Sequence, residues 1–268
     1  MDPTVLAIPV FLTTMAFEAF VLSRQGASYE LKDWGASLSG GLGSLVVKAG
    51  LGGLLYAAFY GVWQHRLFDI SPGIAAWAAL LILEDFTYYV FHRVSHEIRF
   101  FWASHAVHHS SERYTLGTAL RQSWTEPLVG TIFWLPLAWI GFPPEMIFLQ
   151  MAVSLLYQYW IHTETIRSLG PLEWVMNTPS HHRVHHGSNP RYLDRNHGGI
   201  FIVWDRLFGT FEREDEKVIY GLTVPVNTFH PVRLQVDEYR ALWADVWAAS
   251  TWRNRLRLVF GPPGRHIG

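Results

Sequence analysis

The sequence contains no cysteine. That excludes disulfides, thiolate metal sites, cysteine nucleophiles and cysteine-ligated iron–sulfur clusters. Any metal must therefore sit on His, Asp or Glu. Charge is scarce as well. Of 268 residues, 16% are charged, against about 25% in an ordinary soluble domain. The formal net charge is −1, so bulk charge points to no nucleic acid or other polyanion. No dinucleotide fingerprint is present, because the glycines near 40–53 do not follow a strand. Repeats and low-complexity linkers are missing too. The opening "MDPTVLAIPVF" lacks the basic stretch of a signal peptide, so its apolar run reads as a retained membrane segment.

Apolar residues are plentiful: half of the chain is hydrophobic and 15% is aromatic. A helix needs about 20 apolar residues to cross a bilayer. Runs at Val5–Leu22, Leu42–Trp63 and Ile74–Phe91 approach that length, and Leu128–Phe142 and Met146–Ile161 are shorter. "GFPP" at 141–144 parts the last two into a tight helical hairpin. Gly50, Gly52 and Gly53 suggest close helix packing.

Basic residues favour the cytoplasmic side. Segment 92–127 carries Arg93, Arg99, Arg113 and Arg121, and the tail from His162 carries thirteen basic residues. A hairpin between them returns the chain to the same side. The expectation is one domain over 1–268, all-α, a bundle of about four or five membrane helices under one cytoplasmic cap. Membrane helices occupy 1–91, the first cap segment 92–127, the hairpin 128–161 and the second cap segment 162–268. The tail from Val232 to Phe260 has helical apolar spacing with arginines and tryptophans. It either lies along the membrane interface or packs on the cap.

Fourteen histidines are present, eleven of them between 92 and 197. His92 and His96 stand in "HRVSH", and i,i+4 spacing puts them on one helix face. "HAVHH" holds His105, His108 and His109; "HRVHH" holds His182, His185 and His186. Adjacent histidines diverge by about 100° on a helix, so each trio crowds one ion poorly but serves two neighbouring ions. Eight imidazoles exceed the four ligands that close a structural zinc site. Imidazole suits iron, zinc, copper and nickel alike.

His162 is a ninth candidate ligand. His181 reads as an outer hydrogen-bonding partner rather than a ligand, and no role is assigned to His197. Asp85, Tyr89, His92 and His96 form one helical stripe, and an ionisable residue inside a membrane helix is a functional candidate. Asp85 or Glu84 is placed to orient a ligand imidazole through its second nitrogen. Glu97 and Glu164 are proton-transfer candidates, with a helix-end ion pair as the ordinary alternative.

The order HxxxH, HxxHH, HxxHH resembles the fatty acid hydroxylase / sterol desaturase superfamily of integral membrane di-iron enzymes. The stretches 100–123, 159–187 and 196–211 are similar to its ether-lipid-cleaving branch, the alkylglycerol monooxygenases. "NHGG" at 196–199 departs from the Asn-Tyr-Gly pattern common there. By that resemblance, His92, His96, His105, His108, His109, His182, His185 and His186 hold two iron ions, with His162 as the extra histidine between the last two boxes. Zinc can replace iron in a purified sample. Glu97 matches a glutamate after the first box. The resemblance implies a membrane helical bundle under a cytosolic cap. It further implies O2-dependent hydroxylation of a lipid C–H bond and, beside an ether oxygen, collapse of the product to aldehyde and glycerol. The external reductant is tetrahydrobiopterin by that branch, or a ferredoxin or cytochrome. Hydroxylation or desaturation of a sterol, sphingoid base, fatty acyl chain or amino-lipid is an alternative. A membrane metal transporter or sensor ranks lower, because it would thread ionisable residues through several spans.

Overall fold

The computed structural model describes residues 3–26 and 30–264. Among the described residues, two helices are long and apolar enough to cross a membrane. They are α3 (Leu31–Trp63) and α4 (Ile74–Glu97). Before them stand the single turn α1 (Pro3–Leu6) and α2 (Ile8–Arg24). Only 11% of the most apolar window of α3 and 28% of that of α4 is buried. A core helix of a soluble protein would be covered, whereas Leu42, Val46, Leu54 and Ile74 stand exposed. Such an apolar outer surface needs lipid or a partner against it.

The helices alternate in direction, as side chains near their ends establish. Glu18, late in α2, accepts hydrogen bonds from Leu116 N and Thr163 Oγ1. Asp33, in the first turn of α3, pairs with Arg121. At the far end Leu67 N and Phe68 N donate to Trp139 O and Ile140 O at 2.8 and 3.1 Å. From there α4 returns and ends in His92 and His96. One extended residue, Ile98, separates α4 from α5 (Arg99–His109), so the chain folds back on itself. A 3-10 turn, Leu116–Leu120, follows.

The run Leu128–Phe142, expected as one helix, is broken. It comprises α6 (Glu126–Val129), a 3-10 turn (Thr131–Trp134) and α7 (Leu135–Ile140). Pro136 lacks a backbone donor and its ring crowds the turn before it. Gly130 leaves room for the Phe91 ring, which a Cβ would approach to 2.9 Å. The hairpin closes through Gly141, with φ +136°, into α8 (Pro144–Trp160). About four or five spans were expected; α2 and α8, 17 residues each, are shorter than the two full-length helices.

A second correction concerns the glycines of α3. Gly50, Gly52 and Gly53 have nothing within 4 Å of a Cβ position, so they mediate no close packing here. The close approaches come a few turns earlier. A Cβ on Gly40 would meet the Gln122 backbone at 2.9 Å, and one on Gly43 would enter the Trp124 indole. α3 thus packs through small residues on the chain that follows α5, rather than on another long helix.

At the histidine end lie α9 (Pro179–His185), α10 (Val203–Phe208), α11 (Pro231–Ala248) and α12 (Trp252–Phe260). Among the described residues no strand forms; there are two isolated bridges, Met176–Phe201 and Gly187–Tyr220. Of the two readings for the tail, packing on the cap segment describes α11 and α12. Leu242, Val246 and Leu258 are buried against Phe100 of α5. Trp247 and Trp252 on their outer side remain exposed.

Candidate metal centre

Nine buried histidines converge in two groups. The first holds His92, His96, His105, His109 and His185; the second holds His108, His162, His182 and His186. In each, one ring nitrogen per residue lies within 4.8 Å of the others. The adjacent pairs split as helical geometry demands: His108 from His109, and His185 from His186. Each HxxHH trio therefore gives its first and last residues to one group and its middle residue to the other. The two groups share a wall, where the His109 and His186 rings stack at 4.4 Å.

The nitrogens stand as ligands would. His92 Nε2 lies 3.0 Å from His105 Nε2, and His109 Nε2 lies 3.1 Å from both His105 Nε2 and His185 Nε2. In the second group His162 Nε2 is 3.1 Å from His108 Nε2 and 3.0 Å from His182 Nε2. The opposite nitrogens fix the tautomers. Nδ1 of His92 donates to His197 O (2.8 Å), that of His108 to Arg121 O (3.2 Å), and that of His162 to Gln158 O (2.7 Å). His185 Nδ1 donates to Arg195 O at 2.9 Å, and His96 Nδ1 faces Asp194 Oδ1 at 3.3 Å. A neutral imidazole that donates from Nδ1 presents a bare lone pair at Nε2. Lone pairs facing each other at 3 Å repel, and a cation between them turns that repulsion into ligation. Adjacent ligands about 90° apart with bonds of about 2.1 Å stand roughly 3.0 Å from each other. Nε2 of His96 and of His186 is buried with no hydrogen-bond partner. The residues present thus fit two metal ions.

Burial is the main cause that holds His105, His109, His162, His182, His185 and His186 well below the usual histidine range. It also brings His108 down to about 4. All seven are neutral at pH 7, as ligation requires.

The other candidates fall elsewhere. Asp85 touches no ligand ring. It accepts Ile200 N (2.6 Å), Phe201 N (3.1 Å) and Trp204 Nε1 (2.8 Å), so it anchors the loop whose His197 carbonyl orients His92. Glu84 accepts Trp134 Nε1, away from the rings. Glu97 pairs with Arg93 on an exposed helix side, the ordinary alternative. Glu164 is exposed and accepts the Tyr220 hydroxyl at 3.2 Å. His181 packs its ring against Phe211 and belongs to neither group. His197 is wholly buried, with its ring centroid 5.1 Å from that of His96, and also stands outside both groups. His266 lies outside the described residues.

Histidine spacing did not reveal Asp194, Asp205 or Arg121. Asp205 accepts His197 N and Gly198 N, both at 2.7 Å, and so clamps the same loop from the other side. Asp194 and Asn196 both have φ +56°, a left-handed conformation that Asp and Asn tolerate best after glycine. "LDRNHGG" is in that sense a legible turn signal beside a ligand box. Arg121 is fully buried and paired with Asp33, while its carbonyl holds His108.

Residues 77–210 match the sequence model described as fatty acid hydroxylase. The chain is 44% identical over 244 residues to alkylglycerol monooxygenase of Xenopus tropicalis, covering 90% of this chain and 54% of that one. To the Homo sapiens protein of the same name it is 42% identical over 264 residues, covering 96% and 59%. It is 30% identical over 132 residues to the ornithine lipid hydroxylase OlsE of Rhizobium tropici, covering 49% and 40%. The chain thus spans about half the length of the alkylglycerol monooxygenases it matches. No solved structure matches it.

Proposed function

The chain belongs to the fatty acid hydroxylase family, and from that premise we propose that it is a membrane-bound di-iron monooxygenase that cleaves the ether bond of alkylglycerols. The observation that carries this reading is the meeting of two histidine groups with a slot whose wall of α1 and α2 is mainly apolar. Similarity to alkylglycerol monooxygenases over most of the chain supports the substrate class.

His92, His96, His105, His109 and His185 would hold one iron; His108, His162, His182 and His186 would hold the other. When bound, the pair supplies the O2 chemistry that protein side chains lack. The carbonyls of Arg121, Gln158, Arg195 and His197 keep Nε2 of four ligands free of protons. Burial of the whole cluster excludes water from the reacting carbon. One oxygen atom enters the C–H bond next to the ether oxygen and the other leaves as water, consuming two electrons and two protons. The product, a hemiacetal, loses glycerol and becomes an aldehyde. Tetrahydrobiopterin is the reductant that the branch suggests, with a ferredoxin or cytochrome as the other donors. The basic histidine end faces the cytoplasm.

The test is product analysis with 1-O-hexadecylglycerol, O2 and either a reduced pterin or a ferredoxin system. Hexadecanal and glycerol are expected. No aldehyde with any reductant, from protein holding about two irons, overturns ether cleavage; a stable hydroxylated lipid in its place points to hydroxylation of another lipid.

A further inference from the structure

A slot of about 280 Å³ lies beneath the histidines and is roofed by His105, His108 and His162, so it meets both groups. Its wall on the α1 and α2 side is mainly apolar, with Val5, Ile8, Phe11 and Leu12 beside Thr4. Lys48 of α3 and Glu126 of α6 line it as well. Beyond Tyr88 and Gln158, which the two spaces share, a smaller chamber of about 60 Å³ ends on Glu84 and Ser154. Glu126 and Lys48 border both spaces.

The chamber holds two carboxylates, Glu84 with Ser154 and Gln150 beside it and Glu126 in the field of Lys48. Glu84 is 1% exposed. Its Oε1 accepts Trp134 Nε1 at 3.1 Å, but its Oε2 is buried with no partner. Glu126 is half-buried, and the Lys48 ammonium that borders the same two spaces favours its charged form. An unsatisfied buried acceptor costs free energy, and ionisable groups at membrane depth mark ligand or ion paths. Glu84 Oε2, which has no partner of its own, and the half-buried Glu126 are acceptors that ligand hydroxyls can meet beside Lys48.

We propose that this chamber is a headgroup subsite for a diol-bearing lipid, in which Glu126 and Glu84 accept the hydroxyls while the apolar wall takes the alkyl chain. This rests on the ether-lipid reading and adds the determinant of which carbon is presented. The apolar side chains, Glu126 and the three histidines all line the one slot. A molecule with its chain along the apolar side chains and its head at the carboxylates turns its junction toward the histidines. In an alkylglycerol the junction is the carbon beside the ether oxygen. Glu126 is therefore a specificity residue: it selects the diol head and, through it, the register of the chain.

The experiment measures binding, so that it stands apart from turnover. Full-length, metal-loaded protein in lipid nanodiscs is titrated with 1-O-hexadecylglycerol, with its two monodeoxy analogues and with hexadecyl methyl ether. The wild type should favour the diol over the methyl ether by at least ~10-fold, with each lost hydroxyl taking part of that. Glu126→Leu should reduce the ratio to below about 3-fold, and Glu126→Gln, which keeps a carbonyl acceptor, should recover most of it. Metal content, measured in parallel, should match the wild type in both variants. A wild type that binds all four lipids alike overturns the subsite even if no variant folds. A Glu126→Leu protein with unchanged metal and an unchanged ratio overturns it too. Aldehyde release from the same preparations separates the two claims: its absence sinks ether cleavage, while a Glu126-dependent diol preference in binding sustains the subsite.

Discussion

Asp194 reaches the second nitrogen of His96 from a loop far along the chain. Such a partner fixes the tautomer and raises the basicity of a ligand, and losing one commonly costs about 10–100-fold in metal affinity. Asp194→Ala should weaken metal binding by that factor in a competitive chelator titration, and Asp194→Asn should restore most of it. Equal affinity in all three proteins would leave Asp194 without this role. The ligands themselves give a sharper contrast. His108→Ala and His185→Ala strike different groups, so each should lower bound metal from about two ions toward one and reduce turnover by at least ~100-fold. His266→Ala should retain both. Normal metal content and turnover after His185→Ala would refute the ligand assignment. Spacing was enough to draw eight of the histidines from the sequence, because i,i+3 and i,i+4 offsets fix directions on a helix; His162, which stands alone, was added as the extra histidine that the family resemblance implies. The groups behind them were illegible. Four are backbone carbonyls, which carry no residue signature, and Asp194 comes near only when the loop closes. The carboxylates that sequence proximity favoured, Asp85, Glu97 and Glu164, touch other partners.

Helix α4 does two jobs at once: it crosses the bundle, and its last turns carry the first histidine pair. Its Asp85 ties it to the 196–204 segment through three donors. Asp85→Ala leaves those buried donors unpaired, at about 1–3 kcal/mol each, so a clear fall in Tm together with metal loss is expected. Metal loss without a change in Tm would argue for direct ligation. In α3, the glycines that matter are those that meet Gln122 and Trp124. Gly43→Val should destabilise the protein, since the Trp124 indole fills the space of its side chain. Gly52→Ala should be neutral or stabilising by up to about 1 kcal/mol, because nothing opposes a Cβ there and alanine favours the helix. Thermal denaturation of both variants tests the pair, and the reverse order would refute the packing account. Apolar runs revealed α3 and α4 because each holds an 18-residue window of high hydropathy with at most two charged residues. The 126–140 limb was misread because hydropathy alone ignores Pro127 and Pro136.

At the scale of the whole molecule, chain segments far apart in sequence form one buried set of imidazoles, and its protonation couples to stability. His108 ionises near 4 in the folded protein, chiefly because burial disfavours the charged ring, against 6.5 for the free side chain. Between those values the unfolded chain binds a proton that the folded chain does not. Stability therefore falls as pH drops below about 6.5 and is flat above it. His108 alone accounts for a loss on the order of 2 kcal/mol at pH 5. The six other rings held low by burial act in the same direction. Metal deepens the effect, because each proton added to a ligand competes with an ion. The Tm of metal-free protein should thus decline steadily from pH 7 to pH 5, and the metal-loaded protein should release its ions over the same window. Measuring Tm and bound metal side by side checks both. A Tm that holds constant down to pH 5 would mean that the cluster admits water and that the site is neither dry nor held neutral by burial.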